Sequence, residues 1–131
     1  MSWERFEGRT MTSISTLAVS LGRDRITFNK FALEQIVGKC RWADLYFDRK
    51  LARIGFRLLR APTDARSWSV NVTKGDSRQY PQAKICCSRF LHDCGVAAKV
   101  HRHALAFDLS FDPIEGLYWF SVASLLDHNH P

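Results

Sequence analysis

Two stretches of this chain carry the same succession of residue patterns, and that recurrence limits the folds open to it more than any other feature. In the first stretch Leu17, Val19 and Leu21 alternate with Ala18 and Ser20, the two-residue spacing of a half-buried strand. Gly22 to Asp24 supply turn residues, and Arg25 to Phe28 read as a second strand with Ile26 and Phe28 on one face. Asn29 is a good helix N-cap, followed by Ala32, Leu33, Ile36 and Val37 at helical spacing. Gly38 then stands where a helix-ending glycine belongs. Leu45 and Phe47, a polar turn from Asp48 to Leu51, and Ile54, Phe56 and Leu58 read as a hairpin.

The second stretch repeats this order. Trp68, Val70 and Val72 alternate as a strand, Lys74 to Gln82 form a longer loop, and Ala83 to Cys87 are extended. Ser88 is the expected N-cap of a short helix over Arg89 to Cys94, which Gly95 ends. Leu105, Phe107, Leu109 and Phe111 alternate as one strand. Asp112 to Gly116 form the turn, and Tyr118, Phe120 and Val122 form the return.

The match extends to side chains. At one constant offset Ile26 meets Ile85, Asn29 meets Ser88, Lys30 meets Arg89, Phe31 meets Phe90 and Glu34 meets Asp93. At a slightly larger offset Leu45 meets Leu109, Phe47 meets Phe111, Asp48 meets Asp112 and Phe56 meets Phe120. The offset changes in a loop, where insertions are tolerated. The competing account is chance, because capped helices and hairpins are common motifs.

The recurrence predicts an N-terminal arm over residues 1–13, a first ββαββ unit over 14–60 and a linker over 61–67. A second unit follows over 68–122, and a tail over 123–131. One such unit has little surface to bury and leaves open strand edges. Two units wrapped together can remove those edges. The predicted class is therefore α+β: a β-rich barrel or sandwich of two pseudo-symmetric ββαββ repeats with short helices.

The segment from Leu17 to Leu59 resembles the swapped-hairpin DNA-binding domains of the AbrB/SpoVT and MazE-antitoxin type. The likeness rests on Gly22-Arg23-Asp24-Arg25-Ile26-Thr27-Phe28-Asn29-Lys30, the short helix after it, and the hairpin ending Ile54-Gly55-Phe56-Arg57-Leu58. The resemblance implies a strand, short helix and hairpin interlocked with a second copy across a two-fold axis. That copy normally comes from another chain; here Trp68 to Val122 would supply it. The resemblance also implies DNA contacts at Arg23, Arg25 and Lys30. The chain departs from the family at Asn29, where a proline usually precedes the lysine, and in the unlike charges of its two halves.

Charge fits that expectation. The net charge is +6, but Arg23 to Arg60 hold ten Lys and Arg against four Asp and Glu. From His103 onward there are four acids and no Lys or Arg. A basic lobe suits phosphates, although it also suits an ordinary solvated surface. Arg53 and Arg57 share the strand face opposite Ile54, Phe56 and Leu58. The candidate nucleic-acid-binding set is thus Arg23, Arg25, Lys30, Arg53 and Arg57.

Other chemistry is weakly signalled. Cys86 and Cys87 are adjacent on an extended segment, so they point to opposite faces and cannot easily share one bridge or one metal. With Cys40 and Cys94 they read as reduced thiols of a cytoplasmic protein. Cys94, His101 and His103 form the best metal cluster, but no Cys-x-x-Cys accompanies them, and no metal or cofactor is expected. Catalytic signatures such as a glycine-rich phosphate loop, a Gly-x-Ser-x-Gly elbow or His-Glu-x-x-His are absent. Asp108 and Asp112, with His103 upstream, could do acid–base work but are better read as solvent-facing and turn-forming.

Leu117 and Trp119 should point away from the core and form an interface, covered by Ala123 to Asp127 or by another subunit. Trp3, Trp42 and Trp68 suit either a ligand pocket or the core. No run approaches the roughly 18 apolar residues of a membrane span, and no signal peptide is expected. The expected function is a non-enzymatic, AbrB-like DNA-binding transcriptional regulator acting as a homodimer. The alternative is a protein- or small-ligand-binding module.

Overall fold

Among the described residues, alternating apolar residues give ten short strands, and these form two antiparallel five-stranded sheets. The computed structural model describes residues 16–75 and 80–126. The expected arm with Trp3, and Asp127, His128 and His130 of the tail, lie outside the described residues. In chain order the strands are β1 (Ala18–Leu21), β2 (Arg25–Phe28), β3 (Trp42–Asp48), β4 (Arg53–Leu59) and β5 (Trp68–Ser69). They continue with β6 (Asn71–Thr73), β7 (Gln82–Cys86), β8 (Leu105–Asp108), β9 (Ser110–Asp112) and β10 (Leu117–Ser121). The α-helical pieces are α1 (Lys30–Ala32), α2 (Ser88–Asp93) and α3 (Ala123–Leu126), and a 3-10 turn spans Ala97–Lys99.

The first sheet runs β6-β7-β2-β1-β8 and the second β5-β3-β4-β10-β9. At the middle of the first, β2 and β7 place Ile26 opposite Ile85, Arg25 opposite Cys86 and Thr27 opposite Lys84. In the second, β4 and β10 place Gly55 opposite Trp119, Ile54 opposite Phe120 and Phe56 opposite Tyr118.

The strands bury one face each, and those faces meet. Val19, Leu21, Ile26, Phe28, Ala83 and Ile85 of the first sheet join Ala43, Ile54, Phe56 and Phe120 of the second in one core. Phe28 meets Phe56 edge-on at 5.3 Å, and Phe107 meets Phe120 at 5.3 Å, so aromatic pairs tie the two sheets together. No polar or charged residue among those described is buried.

Several expectations are corrected. The strand foreseen over Trp68–Val72 bends at Val70: β5 pairs with β3 in the second sheet, and β6 with β7 in the first. The strand foreseen over Leu105–Phe111 bends at Leu109 in the same way, with β8 on β1 and β9 on β10. An alternating pattern records which face is buried, not which sheet a residue joins. The sheets do not close into a barrel.

The first helix widens after Ala32 into a π-type turn over Leu33–Val37, and Gly38 N–H donates to Leu33 O at 3.0 Å. Its cap is as foreseen: Asn29 Oδ1 accepts from Ala32 N–H at 2.8 Å, and Asn29 Nδ2 donates to Thr16 O at 2.7 Å. Ser88 is not a cap. It is the first residue of α2, and Cys87 precedes it without a side-chain bond that caps the helix. Cys87 N–H donates to Asp24 O at 2.9 Å, so the chain leaves the first sheet at that residue. The 61–67 segment is held rather than loose: Ser67 Oγ and Thr63 Oγ1 both donate to Asp44 of β3, at 2.6 and 2.9 Å.

Candidate nucleic-acid interface

The outer face of the first sheet carries the side chains that alternation turns away from Ile26, Phe28, Ala83 and Ile85. On its central pair these are Arg25, Thr27, Lys84 and Cys86. Arg25 and Cys86 are exposed, and Thr27 and Lys84 half-buried. Arg25 and Lys84 are diagonal neighbours, about 7–8 Å apart at the backbone. Cys86 is their neighbour, with Asn71 Nδ2 4.0 Å from its sulfur.

Arg25 Nε donates to Asp24 Oδ1 at 2.8 Å. That bond holds the Asp24 carboxyl below its ordinary pKa and raises that of Arg25, with Lys84 also lowering Asp24. Lys30 begins α1, where its ammonium lies 4.0 Å from Glu34 and 4.6 Å from the Tyr80 ring centre. Arg89 lies at the matching place in α2 and is exposed. Arg23 stands in the β1–β2 turn, lining a cleft beside α2.

Arg53 and Arg57 lie elsewhere, on the outer face of the second sheet. Arg53 donates to Asp48 Oδ2 at 2.8 Å and lies 4.8 Å from the Trp119 ring centre. Arg57 donates to Glu115 O at 2.7 Å and to the Tyr46 hydroxyl at 3.4 Å. This face is mixed in charge: Asp48, Asp112 and Glu115 join Arg53, Leu117 and Trp119 around a cavity of about 190 Å³. The five predicted cations are therefore split between two sheets, with Arg25 and Lys30 at the first. Sequence reasoning passed over Lys84, although the match of β2 to β7 pairs it with Arg25.

Leu117 and Trp119 are half-buried. The Leu117 side chain and Trp119 Cβ lie against Gly55, 3.5 and 3.8 Å from where a Cβ would stand. A Cβ at Gly55 would meet them at ordinary van der Waals distance. The last turn, α3, packs Leu125 and Leu126 on the core, with Leu126 beside Gly95. Trp42 and Trp68 sit half-buried on β3 and β5, and Trp68 packs on the core. Asp112 shapes its turn, accepting from Ile114 and Glu115 N–H at 2.9 and 3.2 Å, and Asp108 is exposed.

Cys94 is buried, whereas His101 and His103 are exposed. Among the described residues no three His, Cys, Asp or Glu stand close enough to hold a metal. All four cysteines are free. No helix among the described residues is long and apolar enough to cross a membrane. No protein-family model, curated protein or solved structure matches this chain.

Proposed function

We propose that this chain is a non-enzymatic DNA-binding regulator of the AbrB-like kind, built from two copies of one ββαββ unit and acting in the cytoplasm. A duplex lies across the outer face of the first sheet. The observation that carries this reading is the register around Ile26 and Ile85, which makes Arg25 and Lys84 mates on one exposed face. Lys30 and Arg89, at the starts of α1 and α2, extend the same relation. B-DNA offers phosphates about local two-fold axes, and two-fold proteins match them.

The duplication is supported by register as well. The β3–β4 and β9–β10 hairpins pair equivalent residues: Phe47 with Ile54 and Phe111 with Tyr118, Tyr46 with Gly55 and Ser110 with Trp119. Both turns hang on an aspartate, Asp48 and Asp112. The ion pair of Arg25 with Asp24 is exposed and weak, so a phosphate can replace it.

A salt-dependent gel shift tests the reading. Four phosphate contacts give a slope of log Kobs on log salt of about −3.6, or on the order of 100-fold weakening between 50 and 200 mM. Charge reversal of Arg25 and Lys84 together should abolish the shift. Arg53→Gln with Arg57→Gln should leave it unchanged. Absence of a shift with any duplex at low salt would end the proposal.

A further inference from the structure

Beside the duplex face, and independent of it, the β1–β2 turn, α2 and the segment leading into β8 enclose an open cleft of about 560 Å³. That is the size of a small-molecule site. Arg23, Arg102, His92, His101 and His103 line it, with Asp24 the one carboxylate among the described lining residues. Asp24 is already bonded to Arg25 at 2.8 Å, so it does not neutralise the lining cations. Ala97, Val100 and Ala104 add an apolar wall.

We infer that this cleft binds a phosphate-bearing small molecule. Guanidinium groups form forked hydrogen bonds with phosphate oxygens, and imidazole N–H groups add further donors. The apolar wall takes the ligand's organic part. A cationic ligand fits poorly, because the cleft's free charge is positive. A fully apolar ligand would leave two arginines without partners. The charged and titratable groups facing the ligand are Arg23 and Asp24 from the turn, His92 from α2, and His101, Arg102 and His103 from the segment before β8.

Calorimetric titration of the whole chain with pyrophosphate, and separately with a nucleoside diphosphate, tests this at neutral pH. Saturable one-to-one binding is expected, tighter for the nucleoside diphosphate because it also uses the apolar wall. Arg102→Gln and Arg23→Gln should each weaken it by about tenfold. Both residues are exposed, and a matching melting curve for each variant verifies its fold. Lys84→Gln, on the sheet face and outside the cleft lining, should leave it intact. Conversely, Arg102→Gln should retain the duplex gel shift, so the two sites fail separately. No saturable binding would overturn the inference. So would equal binding by Arg102→Gln, or loss in Lys84→Gln alone, which would place the anion on the sheet face.

Discussion

Cys86 and Cys87 show how much one backbone rule can do at the scale of a residue. Neighbours on a strand face opposite ways, and here Cys86 is exposed while Cys87 is fully buried. Burial pushes the Cys87 thiol from its ordinary 9.0 up to about 12, and that of Cys94 up to about 11. Above pH 9 the unfolded chain releases protons that the folded chain still holds. Stability is therefore full below about pH 9 and falls as pH rises towards 12. The melting temperature should decline across that window, and Cys87→Ala should flatten part of the decline. In the native state at neutral pH a disulfide reagent should label Cys86 at once and leave Cys87 untouched until unfolding. Equal labelling rates would contradict this burial. The alternation that separates these thiols was legible in the sequence. The flat Ser88 expectation was not met, because capping depends on where the sheet releases the chain, and Cys87 is held one residue longer by Asp24.

At the scale of the element, the two hairpins solve one turn in two ways. Each is anchored by an aspartate, Asp48 accepting from Leu51 N–H at 3.1 Å and Asp112 from Glu115 N–H at 3.2 Å. Each then passes through a positive φ before the returning strand, 53° at Ala52 and 71° at Gly116. An L-residue with a Cβ pays roughly 1–2 kcal/mol in that region, and glycine's freer unfolded chain offsets part of it. Ala52→Gly should therefore stabilise the protein by about 0.5–1 kcal/mol, and Gly116→Ala destabilise it by about 1 kcal/mol. Urea denaturation of both variants measures this, and a destabilising Ala52→Gly would refute the strain. Both turns were visible in the sequence through their aspartates. The strain at Ala52 was not, because only closure of the hairpin forces alanine into that conformation.

For the whole molecule, the proposed two-fold relation lies within one chain. The homodimer expected from the resemblance is then not required to present a two-fold surface. Light scattering on the gel-shift complex should find one chain per duplex site; two chains per site would show that a second copy completes the surface. At this scale sequence and structure part company. Hydrophobic periodicity and capping residues were enough to specify strands, short helices and turns, because those depend on neighbours one to four residues away. The bends at Val70 and Leu109, the division of Arg25 from Arg53 and Arg57, and the cleft joining Arg23 to Arg102 depended on how two sheets stack. Periodicity tells a side chain whether to face the core. Which distant strand stands beside it is set by the packing of Phe28 on Phe56 and Phe107 on Phe120, and local spacing carries no record of that.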